Sequence, residues 1–192
     1  MEDKPRKTLV VNLLGAPGAG KTTLASLLFA KLKLRGVLCE MATEFAKEIV
    51  WENRLQALRN QLYIFSEQFY RIWRIKGLVD VVITDSPILL SIYYNRGQQP
   101  DYRMPDESFT QLILDCHRHL PSLNFFVVRD HKYENQGRLS SCEQSDEMSK
   151  SMEELFKEHK IKLKKVTSGF ESADTIAEMI CKEIKRLQGK RK

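Results

Sequence analysis

Cysteine is scarce: the 192 residues hold four, and no two form a CxxC pair. Cys39, Cys116, Cys142 and Cys181 lie far apart, which argues against both a zinc site and a disulfide framework and fits free thiols. Histidine is equally sparse. His117 and His119 fall two apart in an expected helix, so their rings point in different directions and make a poor metal pair. No apolar run approaches the roughly 20 residues that a membrane-spanning helix needs. The opening MEDKPRKTLVVNLL passes from a charged leader into a strand-like segment without the apolar core of a signal peptide. The expectation is a cytoplasmic protein with no membrane partner.

What remains is 42% hydrophobic and 29% charged, enough to bury one sizeable core. A single domain over residues 1–192 is expected. Basic residues outnumber acidic ones, for a net charge of +6. They gather in two clusters, Lys157, Lys160, Lys162, Lys164, Lys165 and Lys182, Lys185, Arg186, Lys190, Arg191, Lys192. A solvated helix end plus lysines guarding an edge strand is one reading. Attraction to a polyanion such as DNA is the other.

Two periodicities alternate along the chain. Thr8–Leu14 is a short, nearly continuous apolar run of the kind that a buried parallel strand needs, and Gly36–Ala42, Val79–Thr84, Ser122–Val128 and Ile161–Thr167 are further expected strands. Between them, helical spacing is expected from Lys21 to about Arg35, over Arg54–Ile75, Ile88–Asn95 and Ser172–Leu187. Such alternation predicts βαβ units: an α/β protein with a five-stranded, mainly parallel sheet flanked by helices.

The strongest local signal is Gly15-Ala16-Pro17-Gly18-Ala19-Gly20-Lys21-Thr22, which matches GxxxxGK[ST] between an expected strand and an expected helix. Its glycines let backbone N–H groups curl around a phosphate, and the helix start adds its positive dipole end. Lys21 supplies a point charge for the β- and γ-phosphates, and the Thr22 hydroxyl can join a Mg²⁺ shell. With Thr23, these residues form the candidate ATP site of a P-loop NTPase fold.

The rest of the chain narrows the class. The NKxD motif of a guanine-reading switch is absent, and so are the paired acids that commonly end the second motif of a motor. Instead Val82-Ile83-Thr84-Asp85-Ser86-Pro87 carries one acid at a strand's C-terminal end, where parallel sheets gather ligand-contacting groups. Asp85 is the candidate Mg²⁺-holding or acceptor-orienting acid, with helix capping as the plainer role. Glu44 follows the second strand in the same way and is the candidate general base, or else a first-turn helix charge. Arg129 and Arg138 bound a polar, turn-rich stretch, a candidate lid over about 130–144 that would bring guanidinium groups onto phosphoryl oxygens. Along the expected helix Arg54–Ile75, Gln61 and Gln68 share a face and could pair with a base edge. Arg54 and Arg71 are candidates for a substrate phosphate. Trp51, Phe65 and Tyr70 could stack on a ring or simply fill core.

GAPGAGKTTLASLLFAKL, TEFAKEIVWE, NQLYIF, VDVVITDSP and the later R-x-x-K-Y-x-x-x-G-R segment together resemble small bacteriophage P-loop kinases related to thymidylate kinase. Within that group, the resemblance is to the 5-hydroxymethyluracil DNA kinases. The resemblance covers most of the first 140 residues and is loose beyond them. It implies ATP and Mg²⁺ as cofactors, Gly15–Thr22 as the nucleotide site, Asp85 as an active-site acid, and DNA carrying a modified base as partner. The implied reaction phosphorylates the 5-hydroxymethyl group of that base, a step in thymidine hypermodification. Thymidylate kinases carry Asp-Arg where this chain has Asp85-Ser86, and TEFA-type motifs also occur in ribosylnicotinamide kinases. A free nucleoside or nucleotide acceptor therefore stays open, as does a DNA-associated ATPase.

Overall fold

The computed structural model describes residues 6–133 and 141–189. Five strands, β1 (Leu9–Leu14), β2 (Cys39–Ala42), β3 (Val81–Thr84), β4 (Ser122–Val127) and β5 (Lys164–Val166), form one sheet in the order β2-β3-β1-β4-β5. Every pairing is parallel. The helices between them are α1 (Lys21–Leu34), α2 (Phe45–Trp51), α3 (Gln61–Trp73), α4 (Leu90–Arg96), α5 (Asp106–Arg118), α6 (Cys142–Glu158) and α7 (Phe170–Gly189).

β1 is buried along its whole length because both sheet faces are covered. Alternate residues serve opposite layers. Leu9, Val11 and Leu13 pack with Leu24, Leu28 and Leu32 of α1 and with Ile176 and Ile180 of α7. Val10 and Leu14 join Phe65, Ile72, Ile113, Met152 and Phe156 on the other face. Val82 and Phe126, from the strands on either side of β1, complete that second layer. No described helix is long and apolar enough to cross a membrane.

Several expected boundaries move, each for a local reason. The strand expected from Gly36 starts at Cys39, because Gly36 (φ 74°) ends α1. Its N–H reaches the Lys33 carbonyl, and the Val37 N–H reaches that of Leu32. This is the paired-bond helix stop that favours glycine. The helix expected from Arg54 to Ile75 is broken. Leu55–Arg59 forms a 3-10 turn, and α3 starts only at Gln61, where the Asn60 side chain accepts from the Tyr63 N–H at 3.0 Å. Asparagine caps better than it propagates. Replacing Asn60 with alanine is expected to lower stability by about 1 kcal/mol in urea melts, leaving the native fold unchanged.

β5 is the short edge strand at one end of the sheet. Lys164 and Lys165 lie exposed upon it, and Lys165 pairs with Glu153 at 2.6 Å. Charged side chains on so short an edge discourage pairing with a foreign strand.

Candidate functional site

β1 ends at the phosphate loop, in the middle of the sheet. Gly15 (φ 141°) and Gly20 (φ 87°) hold the loop's bend. A side chain at Gly15 would sit 2.7 Å from the Val127 carbonyl oxygen at the end of β4. One at Gly20 would strike Ser168 Oγ at 2.4 Å and approach His131. Neighbouring chain thus closes on the loop from two sides. Gly20 gives α1 no side-chain cap, and no acid stands in the helix's first turn. The positive end of a 14-residue helix is left for an anion.

Lys21 Nζ donates to the Gly15 and Ala16 carbonyls at 2.9 and 3.0 Å. The Thr22 hydroxyl donates to Asp85 Oδ2 at 2.6 Å. β3 lies directly beside β1, which is why an acid at its C-terminal end reaches the first turn of α1. Asp85 is 4% exposed, and its second oxygen, Oδ1, is buried with no hydrogen-bond partner among the described residues. The helix-capping role for Asp85 does not apply. α4 begins beyond Leu89 with no side-chain cap at all. Thr23 is exposed on the first turn of α1.

Glu44 stands at the turn between β2 and α2, half-buried. Burial raises its carboxyl above the usual range, Lys21 pulls it down, Asp85 raises it further, and Lys47 lowers it. Glu44 makes no capping bond to α2. Across from it, the Tyr94 phenol of α4 is pushed up by burial, then by Glu44 and Tyr93. Sequence reasoning did not single out Tyr94, and its position within an apolar run gave no reason to.

The candidate substrate residues on and before α3 all have partners within the protein. Gln68 is 2% exposed and has no free base-reading edge. Its Oε1 accepts from the Phe45 N–H at 3.0 Å, and its Nε2 donates to the Thr43 carbonyl and Thr84 Oγ1, each at 3.3 Å. Gln61 is buried too and donates to the Leu58 carbonyl at 2.8 Å. Arg71 makes two bonds to Glu48, at 2.9 and 2.6 Å, and lies over the Phe45 ring. Arg54 pairs with Glu52 at 2.5 Å. These guanidinium groups are engaged within the protein, Arg54 by the acid two residues before it and Arg71 by an acid of α2. Phe65 belongs to the core, whereas Trp51 and Tyr70 are exposed.

On the other side of the loop, Arg129 leaves β4, pairs with Asp146 of α6 and lies 5.0 Å from the centre of the Tyr133 ring. The next residue back, Ser145, is buried and donates to the Pro17 carbonyl at 2.6 Å. α6 is therefore fastened to the phosphate loop, a contact that sequence reading missed. The signal was available, in the capping pair Ser141 and Gln144 ahead of Met148, Met152, Leu155 and Phe156 at helical spacing. Arg138 and most of the expected lid lie outside the described residues.

A model of the AAA domain family matches residues 10–172. The chain belongs to that family. No curated protein matches this AAA domain in sequence. Among solved structures, a thymidylate kinase from Ehrlichia chaffeensis aligns with a TM-score of 0.57 at 14% identity, covering 94% of this chain and 100% of its own. A deoxyadenosine kinase from M. mycoides aligns with a TM-score of 0.50, also at 14% identity, over 93% of this chain and 99% of that one. At such identities the likeness is one of fold: an α/β P-loop NTPase fold with an all-parallel five-stranded sheet.

Proposed function

We propose that this chain is a P-loop kinase that transfers the γ-phosphoryl group of ATP to a hydroxyl. The observation that carries the reading is the convergence of Lys21, Thr22 and Asp85 at the phosphate loop, with Glu44 near enough to feel both Lys21 and Asp85. A triphosphate site with a single strand-end acid and a raised, half-buried glutamate opposite it suits an acceptor that must lose a proton. A hydrolysing ATPase would be better served by a second acid beside Asp85, where Ser86 stands. The kinase neighbours in fold space point the same way, although fold alone does not name a reaction.

Each residue has a role. The loop amides and the α1 terminus bind the phosphates, and Lys21 shares the charge that builds on the transferring group. Thr22 Oγ1 and Asp85 are the groups that would hold Mg²⁺, which neutralises phosphate charge when bound. The buried, unpartnered Asp85 Oδ1 fits that duty. Glu44 takes the acceptor's proton. Its raised affinity for protons means that the rate of a Glu44-dependent step climbs only as the pH passes above the ordinary carboxylate range.

For the acceptor, the motif resemblance favours the hydroxymethyl group of 5-hydroxymethyluracil in phage DNA, with the basic surface as a sequence-independent hold on the polymer. A base in duplex DNA would have to be flipped out or presented single-stranded. The two kinases that share the fold favour a free nucleoside or nucleotide about equally. The deciding experiment offers γ-labelled ATP to hydroxymethyluracil DNA, ordinary DNA, hydroxymethyldeoxyuridine with its monophosphate, and ribosylnicotinamide. Label in the modified polymer alone is the expected result. Label on a free nucleoside or nucleotide alone would replace the DNA reading and keep the kinase. Phosphate release without any labelled acceptor would leave an ATPase.

A further inference from the structure

We infer that Gln68, buried and remote in sequence from both candidate acids, is the positioning residue that fixes Glu44 and Asp85 relative to one another. The inference rests on the kinase reading above for its catalytic consequence, but its geometry stands alone. A buried glutamine has one acceptor and two donor hydrogens to satisfy, and any nearby backbone group would do. The partners here are not arbitrary. Thr43, whose carbonyl accepts from Nε2, and Phe45, whose N–H donates to Oε1, are the residues immediately before and after Glu44. The third partner, Thr84 Oγ1, belongs to the residue before Asp85, and it in turn accepts from the N–H of Ser86, the residue after Asp85, at 3.2 Å. One carboxamide thus brackets both acids.

The bracket joins three elements. Glu44 leaves β2, Asp85 leaves β3, and Gln68 sits on α3 below the corner between them. β2 and β3 are paired only as far as Ala42 and Thr84, so the turns that carry the acids lie beyond the last ladder contact. Nothing in the sheet itself fixes those turns. Gln68 supplies that tie at 2% exposure, where a hydrogen bond is not diluted by water. One helical turn further out, Arg71 adds a looser strap from Glu48 and Thr43 Oγ1 to the same corner. Lys21, Asp85, Lys47 and Tyr94 are the charged and titratable groups around Glu44. Its proton affinity therefore reports how closely the corner is held against α1, β3 and α4.

Gln68→Met keeps length and volume while removing every one of these bonds. Thr84→Val removes the link to Asp85 alone, and Thr84→Ser retains it. In the full-length, nucleotide-free protein with ¹³C-labelled carboxyls, Gln68→Met is expected to lower the Glu44 titration midpoint by about half a pH unit or more as water enters the corner. The acid limb of the pH–rate profile should move with it. kcat should fall roughly 10–100-fold, the scale for losing a group that orients a ligand-holding carboxylate. KM for ATP should stay within about two-fold, since the loss is confined to the reacting arrangement. Thr84→Val should move the same readouts in the same direction, and Thr84→Ser should restore them. The double variant Gln68→Met/Thr84→Val should be no worse than Gln68→Met, because both remove one network.

An unchanged Glu44 midpoint and pH limb in folded Gln68→Met and Thr84→Val would overturn the inference, leaving Gln68 a core amide. If Gln68→Met does not fold, Thr84→Val and Thr84→Ser decide it. If the wild-type chain labels no acceptor, the kinase reading fails by itself. The carboxyl titration needs no turnover and still tests the bracket.

Discussion

Lys21→Ala is expected to remove phosphoryl transfer, by at least about 10³-fold, while the protein stays folded. Both halves of that expectation come from the loop. Lys21 lies at the start of α1 with its Nζ on the Gly15 and Ala16 carbonyls, and it contributes nothing to either core layer. Gly15 and Ala16 are buried, so truncation deprives their two carbonyls of a donor, but it opens no cavity in either core layer. Catalytically, the ammonium is a preplaced charge at the point where negative charge gathers, and removing one such group costs on the order of 10²–10³ or more. The check is turnover of γ-labelled ATP beside a melting curve. Near-normal turnover would end the assignment of Gly15–Thr22 as the reacting nucleotide site.

Asp85→Asn should lower the rate by about 10²-fold or more and weaken Mn²⁺ binding in an electron-resonance titration made with a non-hydrolysable ATP analogue. The amide has almost the shape of the acid, and its oxygen can still accept from the Thr22 hydroxyl. α4 takes no cap from residue 85, so no helix is loosened. What disappears is the negative charge, including that of the buried Oδ1. A rate and a Mn²⁺ affinity that both held would reduce Asp85 to a partner for Thr22. A lost rate with intact Mn²⁺ binding would shift its role from the metal to the acceptor.

The phosphate loop and the sheet were legible because their signals are local. GAPGAGKT states its own backbone geometry, and buried parallel strands such as LVVNLL and VVIT must be apolar throughout. The positions of Asp85 and Glu44 at strand ends were legible for a related reason: strand ends are easy to find, and acids there are few. The α3 region was not. Leu55, Leu58 and Leu62 continue the apolar spacing of Phe65 and Ile72, so periodicity runs straight through Asn60, although the structure caps a new helix there. Leu55 and Leu62 emerge exposed. The bonds of the glutamines were not legible for a deeper reason. Spacing assigns Gln68 to the same face as Gln61, but its partners lie 16 to 25 residues away on other elements. No period in one segment encodes them. The partners of Arg71 and Arg54 were hidden likewise, since a free guanidinium and one paired with Glu48 or Glu52 look alike in sequence.

The strand order has a consequence for substrate choice. Neighbouring strands in a sheet run about 4.8 Å apart. β3 adjoins β1, whereas β2 is one place further out. Asp85 therefore rises one step from the axis of the phosphate loop, and Glu44 rises from two steps, roughly 10 Å away. On the kinase reading proposed above, the sheet acts as a ruler with two marks, the near one for the donor's phosphates and the far one for the group that receives. The ladder sets the coarse spacing of the two strand ends, and the Gln68 bonds hold the turns beyond them. On that reading, selection among acceptors falls to the side chains around the second mark rather than to the phosphate loop. There a change of substrate can evolve without disturbing the chemistry of transfer.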